Sequence, residues 1–361
     1  MIKVVDKLIL MMRIDELDYT FPHDLIADRP AEPRESCRLL VVHRDTGELE
    51  HRHFFDLPGY LRRGDLLVLN SARVAPARLR ATLLDGDHPH NREILVTNAG
   101  ESARCHALIH PAKHVREGHR LALVSDGLIC RVCGRQDRGW LLELEDQNRT
   151  WRSVLEQRGE MPLPPYILKK RCANSDLPED RDWYQTVYAD REGAIAAPTA
   201  GLHFSSNLLE RIEMDGIASA RLFLRVGLGT FQPIRVTAVE RHSLAPEEFD
   251  LGSETANRVN ATRPKNGRVV AVGTTVVRTL EHCAGADGLV QPCCGVVDLL
   301  ILPPYRFRAV DALITNFHLP RTTLLALVYA FAGTELARRA YEVAVRERYR
   351  FYSYGDAMLI L

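Results

Sequence analysis

No apolar run in this 361-residue chain approaches the roughly 20 residues that span a bilayer, which argues against a transmembrane helix. Net charge is missing as well. With 47 basic residues against 47 acidic ones, the chain as a whole has no general attraction to nucleic acid, and only local basic faces are left for that role. A zinc module lacks its ligands. Eight cysteines (Cys37, Cys105, Cys130, Cys133, Cys172, Cys283, Cys293 and Cys294) are irregularly spaced, and the single CxxC of Cys130 and Cys133 has no second CxxC or histidine pair at ligand spacing. Reduced cysteines in a cytoplasmic protein, with no metal, are the expectation. Met1 to Met12 is apolar in patches, yet no small-residue cleavage site follows, so it does not read as a signal peptide. A dinucleotide fingerprint is absent too. Gly227-Leu228-Gly229-Thr230-Phe231 is a G-x-G, but Gln232 stands where the third glycine belongs and no acidic residue follows at the right distance.

What remains is ordinary soluble composition, 46% hydrophobic and 26% charged, in a chain long enough for two domains. The stretch Ala196-Ala197-Pro198-Thr199-Ala200-Gly201-Leu202-His203-Phe204 organises it. Pro198 and Gly201 break regular structure there, so His203 should sit on a shaped connection between a strand end and a helix start. Asn207 with Glu210 three residues on reads as a capping box opening that helix. Ligands of α/β proteins bind at such strand ends.

Between Ala77 and about Leu155 the texture changes to short alternating strands: Leu79 to Leu83, Glu93 to Thr97, Cys105 to Ile109, Arg120 to Val124, Ile129 to Val132 and Trp140 to Glu145. Helical periodicity is absent, and turn clusters such as Asp85-Gly86-Asp87 intervene, as in a small closed barrel. The expected fold is therefore α/β: a mixed main domain of residues 1–74 and 156–361, with a small antiparallel β-barrel of residues 75–155 inserted. Lys113, His114, Arg116, His119 and Arg120 form a basic cluster in the barrel, either a solvated loop or a phosphate contact.

Beyond the central stretch, Arg221 to Val226 and Arg268 to Val272 read as strands, the second running into Gly273-Thr274-Thr275 and a helix, Val276 to Cys283. The two threonines either favour an anionic group at a helix start or merely cap the helix. Val296 to Leu302 and Ala312 to Thr315 read as buried strands, and the latter leads to Asn316-Phe317-His318. An apolar helix, Thr323 to Ala332, is followed by an amphipathic one with i,i+4 pairs at Glu335–Arg339 and Glu342–Arg346. The aromatic, apolar end from Tyr349 to Ile360 should pack into the domain.

Several of these segments resemble one family, the S-adenosylmethionine:tRNA ribosyltransferase-isomerases of queuosine biosynthesis. The stretches are Asn70 to Leu79 (NSARVAPARL), Tyr184 to Ala189 (YQTVYA), Ala196 to Phe204 (AAPTAGLHF) and Val226 to Pro233 (VGLGTFQP). Ala271 to Leu280 (AVGTTVVRTL), Thr315 to Leu325 (TNFHLPRTTLL) and Tyr349 to Ile360 (YRFYSYGDAMLI) complete the set. The resemblance starts at about Met12, so Met1 to Met11 reads as an extension or a mis-chosen start. It implies an enzyme with S-adenosylmethionine as co-substrate and no metal. The ribosyl unit would pass to 7-aminomethyl-7-deazaguanine at the tRNA wobble position, giving epoxyqueuosine and releasing adenine and methionine.

That chemistry needs a base beside the sulfonium and an acid for the departing adenine, tasks suited to groups titrating near neutrality. The resemblance implies His203, His318 and Asp356 for them. It implies Thr274, Thr275 and Arg278 for the methionine carboxylate, while Phe231, Phe317 and Tyr354 either stack on a base or pack the core. Asn70, Arg73, Thr199, Gly227, Gly229, Thr230 and Asn316 complete the implied binding site. A cytoplasmic monomer engaging the anticodon loop, with no membrane association, is expected. At some motif positions the chain differs from the family's usual pattern. Arg225 stands for His, Ala245 occupies the place of a histidine before Glu247, Val296 stands for a carboxylate and Ser71-Ala72 for Asp-Thr. The alternative these differences raise is a divergent member with another acceptor.

Overall fold

The computed structural model describes residues 12–85, 90–136, 139–173, 175–227 and 234–361. The chain forms two compact units, one of residues through Ser71 with Thr186–Ala189 and Pro198–Leu361, the other of Ala72–Gln185 with Asp190–Ala197.

In the first unit, nine strands among the described residues form one mixed sheet. From edge to edge they are Cys293–Val297, Glu247–Leu251, Ala218–Leu224, Leu66–Asn70, Val269–Val272, Ala312–Asn316, Ala357–Ile360, Arg38–Val42 and Leu49–His53. The four strands from Ala218–Leu224 to Ala312–Asn316 run parallel, and the last three, Leu66–Asn70, Val269–Val272 and Ala312–Asn316, are mostly apolar and buried throughout. On one face the alternate residues Leu67 and Leu69, Val270 and Val272, Ala312 and Ile314, Ala357 and Leu359 join a single core with Phe54, Phe204, Leu208 and Ile212. The helix Thr274–Cys283 packs on the central strands. The aromatic end enters the core as expected, with Ala357–Ile360 parallel to Arg38–Val42 and antiparallel to Ala312–Asn316.

In the second unit, Arg78–Leu83, His90–Ala99, Arg104–His110, Arg120–Leu123, Ile129–Gln136 and Gly139–Leu144 close an antiparallel barrel. Each expected strand of that region lies within or over one of them. Leu79, Ala81 and Leu83 point inward by the two-residue alternation, and Trp151 of the helix Trp151–Arg158 fills the same core. Thr150 caps that helix by accepting from Ser153 N at 3.2 Å.

Four local expectations are corrected. Helix Ser206–Met214 is capped by Ser205, whose Oγ accepts from Leu208 N at 3.1 Å, so the cap lies two residues before Asn207. The strand expected at Val296 to Leu302 is Cys293–Val297, an edge strand exposed from Cys293 to Val296. Its apolar letters were read as burial, but an edge is paired on one side only. Glu335 pairs with Arg338 rather than Arg339, whose guanidinium donates to Gly47 O, and Arg346 pairs with Glu347. Only for Arg339 is the partner a tertiary one; Glu335 takes its i,i+3 neighbour and Arg346 the residue next to it in the chain. No helix among the described residues is long and apolar enough to cross a membrane.

Candidate active site

Because the central strands are parallel and in register (Leu222 beside Asn70, Ala271 beside Val68, Val272 beside Ile314), their carboxyl ends meet at one edge of the sheet. Ser71, Arg225–Gly227, Gly273–Thr275 and Phe317–His318 follow directly from those ends. The turn Thr199–Gly201 packs against the Ala312–Asn316 strand, and His203 follows it. This is the place where open α/β sheets take ligands.

His203 is almost fully buried. Its Nδ1 lies 3.3 Å from Cys37 Sγ and its Nε2 3.0 Å from Asn316 Nδ2, with the Phe54 ring at 5.2 Å between centroids. Burial, with the Arg350 and Arg34 charges adding to it, lowers the imidazole pKa to about 3. His318 Nε2 lies 2.9 Å from Thr315 Oγ1, its backbone N–H donates to Tyr341 Oη at 2.9 Å, and burial lowers its pKa to about 3 as well. Both rings are therefore neutral near pH 7 and can accept a proton. The expectation of titration near neutrality is corrected by their burial.

Four polar atoms around this edge are buried with no partner: Thr186 Oγ1, Tyr188 Oη, Thr275 Oγ1 and Asn316 Oδ1. They flank the glycines. A Cβ on Gly201 would meet Tyr188 Oη at 1.9 Å and Thr186 Cγ2 at 2.9 Å, while one on Gly273 would meet Ala200 Cβ and Thr275 Oγ1 at 3.6 Å. Helix Thr274–Cys283 begins at Gly273, whose φ of 96° suits glycine, and it has no side-chain cap. Neither threonine caps it. Buried hydroxyls without partners are what a polar ligand satisfies.

The other expected site residues fall into distinct groups. Asn70 bridges two strand ends, donating from Nδ2 to Leu224 O and accepting from Leu224 N, both at 3.0 Å. The Asp356 carboxylate accepts from Arg38 N at 3.0 Å and Arg350 N at 2.7 Å, clasping backbone. Arg278 is buried and committed, donating to Glu247 Oε2 at 2.5 Å and to the carbonyls of Val297 and Leu299 at 3.3 Å. Glu247 Oε1 takes the Gly227 N–H at 2.9 Å, so this ion pair ties a glycine turn to a helix. The Phe317 ring is fully buried among Tyr341, Tyr349 and Phe351, so the core-packing reading holds for it over stacking. Tyr354 is buried and Thr199 partly so. Arg73 is exposed on the strand Ala72–Val74 of the second unit. Gly229, Thr230 and Phe231 lie outside the described residues. Among the described residues no cluster of His, Cys, Asp and Glu is grouped to hold a metal.

A family model described as "Queuosine biosynthesis protein" matches residues 14–360. The chain belongs to that family. It is 49% identical over 351 residues, 97% of this chain and 100% of the relative, to the S-adenosylmethionine:tRNA ribosyltransferase-isomerase of Moorella thermoacetica. The enzyme of that name from Symbiobacterium thermophilum is 47% identical over 350 residues, again 97% of this chain and all of the relative. The crystal structure of an S-adenosylmethionine tRNA ribosyltransferase from Thermotoga maritima superposes with a TM-score of 0.53 at 36% identity, covering 96% of this chain and 100% of that one.

The positions where this family member departs from the usual pattern are visible. Arg225 donates its backbone N–H to Glu248 O at 2.8 Å and pairs with the Glu248 carboxylate at 3.2 Å. Val296 stands 56% exposed opposite Glu248 on the edge strand, while Glu247 keeps its buried partner. Sequence reasoning missed Cys37, Thr186 and Tyr188. The last two sit in the YQTVYA motif, and both lie against Gly201. Cys37 carries no such signal, because 166 residues separate it from His203.

Proposed function

We propose that this chain moves the ribosyl moiety of S-adenosylmethionine onto 7-aminomethyl-7-deazaguanine at the tRNA wobble position, forming epoxyqueuosine and releasing adenine and methionine. The observation that carries this reading is a full-length family match whose sheet edge presents two buried, neutral imidazoles among unpartnered hydroxyls. A neutral His203 or His318 can take the proton made acidic by the neighbouring sulfonium. The Thr274–Thr275 turn, with its free helix N–H groups, receives the methionine carboxylate. Arg278 stays with Glu247, which holds Gly227 by its N–H. Asp356 acts by fixing the chain around Arg350 rather than by exchanging protons. S-adenosylmethionine and tRNA are the partners, and the protein works as a cytoplasmic monomer without a metal.

The test is to incubate the protein with S-adenosylmethionine, with and without tRNA carrying the deazaguanine base, and measure adenine and methionine. Release that requires the tRNA is expected. Release without tRNA, or no release, overturns the assignment. His203→Ala should abolish turnover and leave the folded state intact by circular dichroism.

A further inference from the structure

The hydrogen bonds around His203 set which of its nitrogens carries the proton. Asn316 Nδ2 faces two acceptors, His203 Nε2 at 3.0 Å and Tyr352 O at 3.2 Å. An amide nitrogen has two N–H groups and can serve both at once. Turning the amide over would set Oδ1 against the Tyr352 carbonyl oxygen, two acceptors with no proton between them. The nitrogen therefore stays where it is, and Nε2 must be an acceptor. A neutral imidazole with an accepting Nε2 has its proton on Nδ1. The atom facing Nδ1, at 3.3 Å, is Cys37 Sγ, and sulfur accepts such a bond, though weakly.

We propose that Cys37 is a positioning residue for His203. Its sulfur accepts the hydrogen bond of Nδ1–H and, opposite Asn316, holds the ring as the Nδ1–H tautomer. The sole lone pair of the ring is then at Nε2, where Asn316 donates to it, and the Nδ1 proton stays on nitrogen, directed at the sulfur. Cys37 itself takes no proton. Burial, reinforced by the Asp356 charge, pushes its thiol well above the usual range, so it stays a neutral thiol. The catalytic part of this assignment rests on the proposed function, whereas the tautomer does not.

The experiment is nitrogen NMR of the 15N-histidine-labelled full chain, with His203→Gln to assign the ring signals. The wild-type ring should show a protonated Nδ1 and an unprotonated Nε2. Cys37→Ala should shift the ring toward a tautomer mixture and lower kcat about tenfold, the scale of losing an outer orienting partner, with KM for S-adenosylmethionine unchanged. Cys37→Ser, whose hydroxyl also accepts, should restore both the spectrum and kcat. A wild-type ring protonated at Nε2 overturns the proposal, as does a Cys37→Ala protein with wild-type spectrum and kcat. If the wild-type protein turns nothing over, the activity reading fails and the ring spectrum alone decides the tautomer.

Discussion

His203 and His318 are each held near 3, well below the ordinary imidazole value of 6.5. An unfolded chain therefore takes up these protons first. Above pH 6.5 neither histidine penalises the fold, and as pH falls from there toward 3 stability is lost, by up to about 1.4 kcal/mol per pH unit for each ring. Urea titrations at pH 7.5 and pH 5 should show a lower midpoint at pH 5, and His203→Gln should reduce that difference. If the midpoints coincide, the rings are not buried in neutral form. The Arg278–Glu247 pair gives a second residue-level expectation. Arg278→Met removes the buried counter-charge of a carboxylate that is 6% exposed and should cost about 3–5 kcal/mol, most of it regained in an Arg278→Met/Glu247→Leu double variant. Thermal unfolding of the single and double variants checks it.

Among the elements, the Thr199–Gly201 turn is the tightest constraint at the site. Gly201→Ala drives a methyl into Tyr188 Oη, so the turn must shift, with an expected loss of about 1–3 kcal/mol and a larger loss of turnover. A variant with wild-type turnover would show that the turn does not shape the site. Ser205→Ala should cost about 1 kcal/mol from the lost cap and leave turnover near normal, measured by denaturant unfolding and the release assay. The elements legible in the sequence were those whose signal is local. The barrel strands alternate, the central strands Leu66–Asn70 and Val269–Val272 are mostly apolar runs, and Gly273 announces its helix. The capping serine, the exposed edge strand at Cys293–Val297 and the re-paired Arg339 were not legible, because each depends on what lies beside it in space. The same limit applies at the site. The histidines stood in readable motifs, whereas the commitment of Arg278 to Glu247, the clasp at Asp356 and the sulfur beside His203 arise from contacts between distant segments.

For the whole molecule, the position of the strand Ala357–Ile360 matters most. It lies inside the sheet, between Ala312–Asn316 and Arg38–Val42, although both of these neighbours precede it in the chain. During vectorial synthesis both neighbours leave the exit tunnel well before it and wait with open hydrogen-bonding edges. The main sheet therefore completes only after translation has passed Ile360, and until then the nascent chain offers two strand edges to other chains. A stop codon in place of Ala357 should yield insoluble protein rather than a slightly weakened fold, as fractionation of expressed material would show.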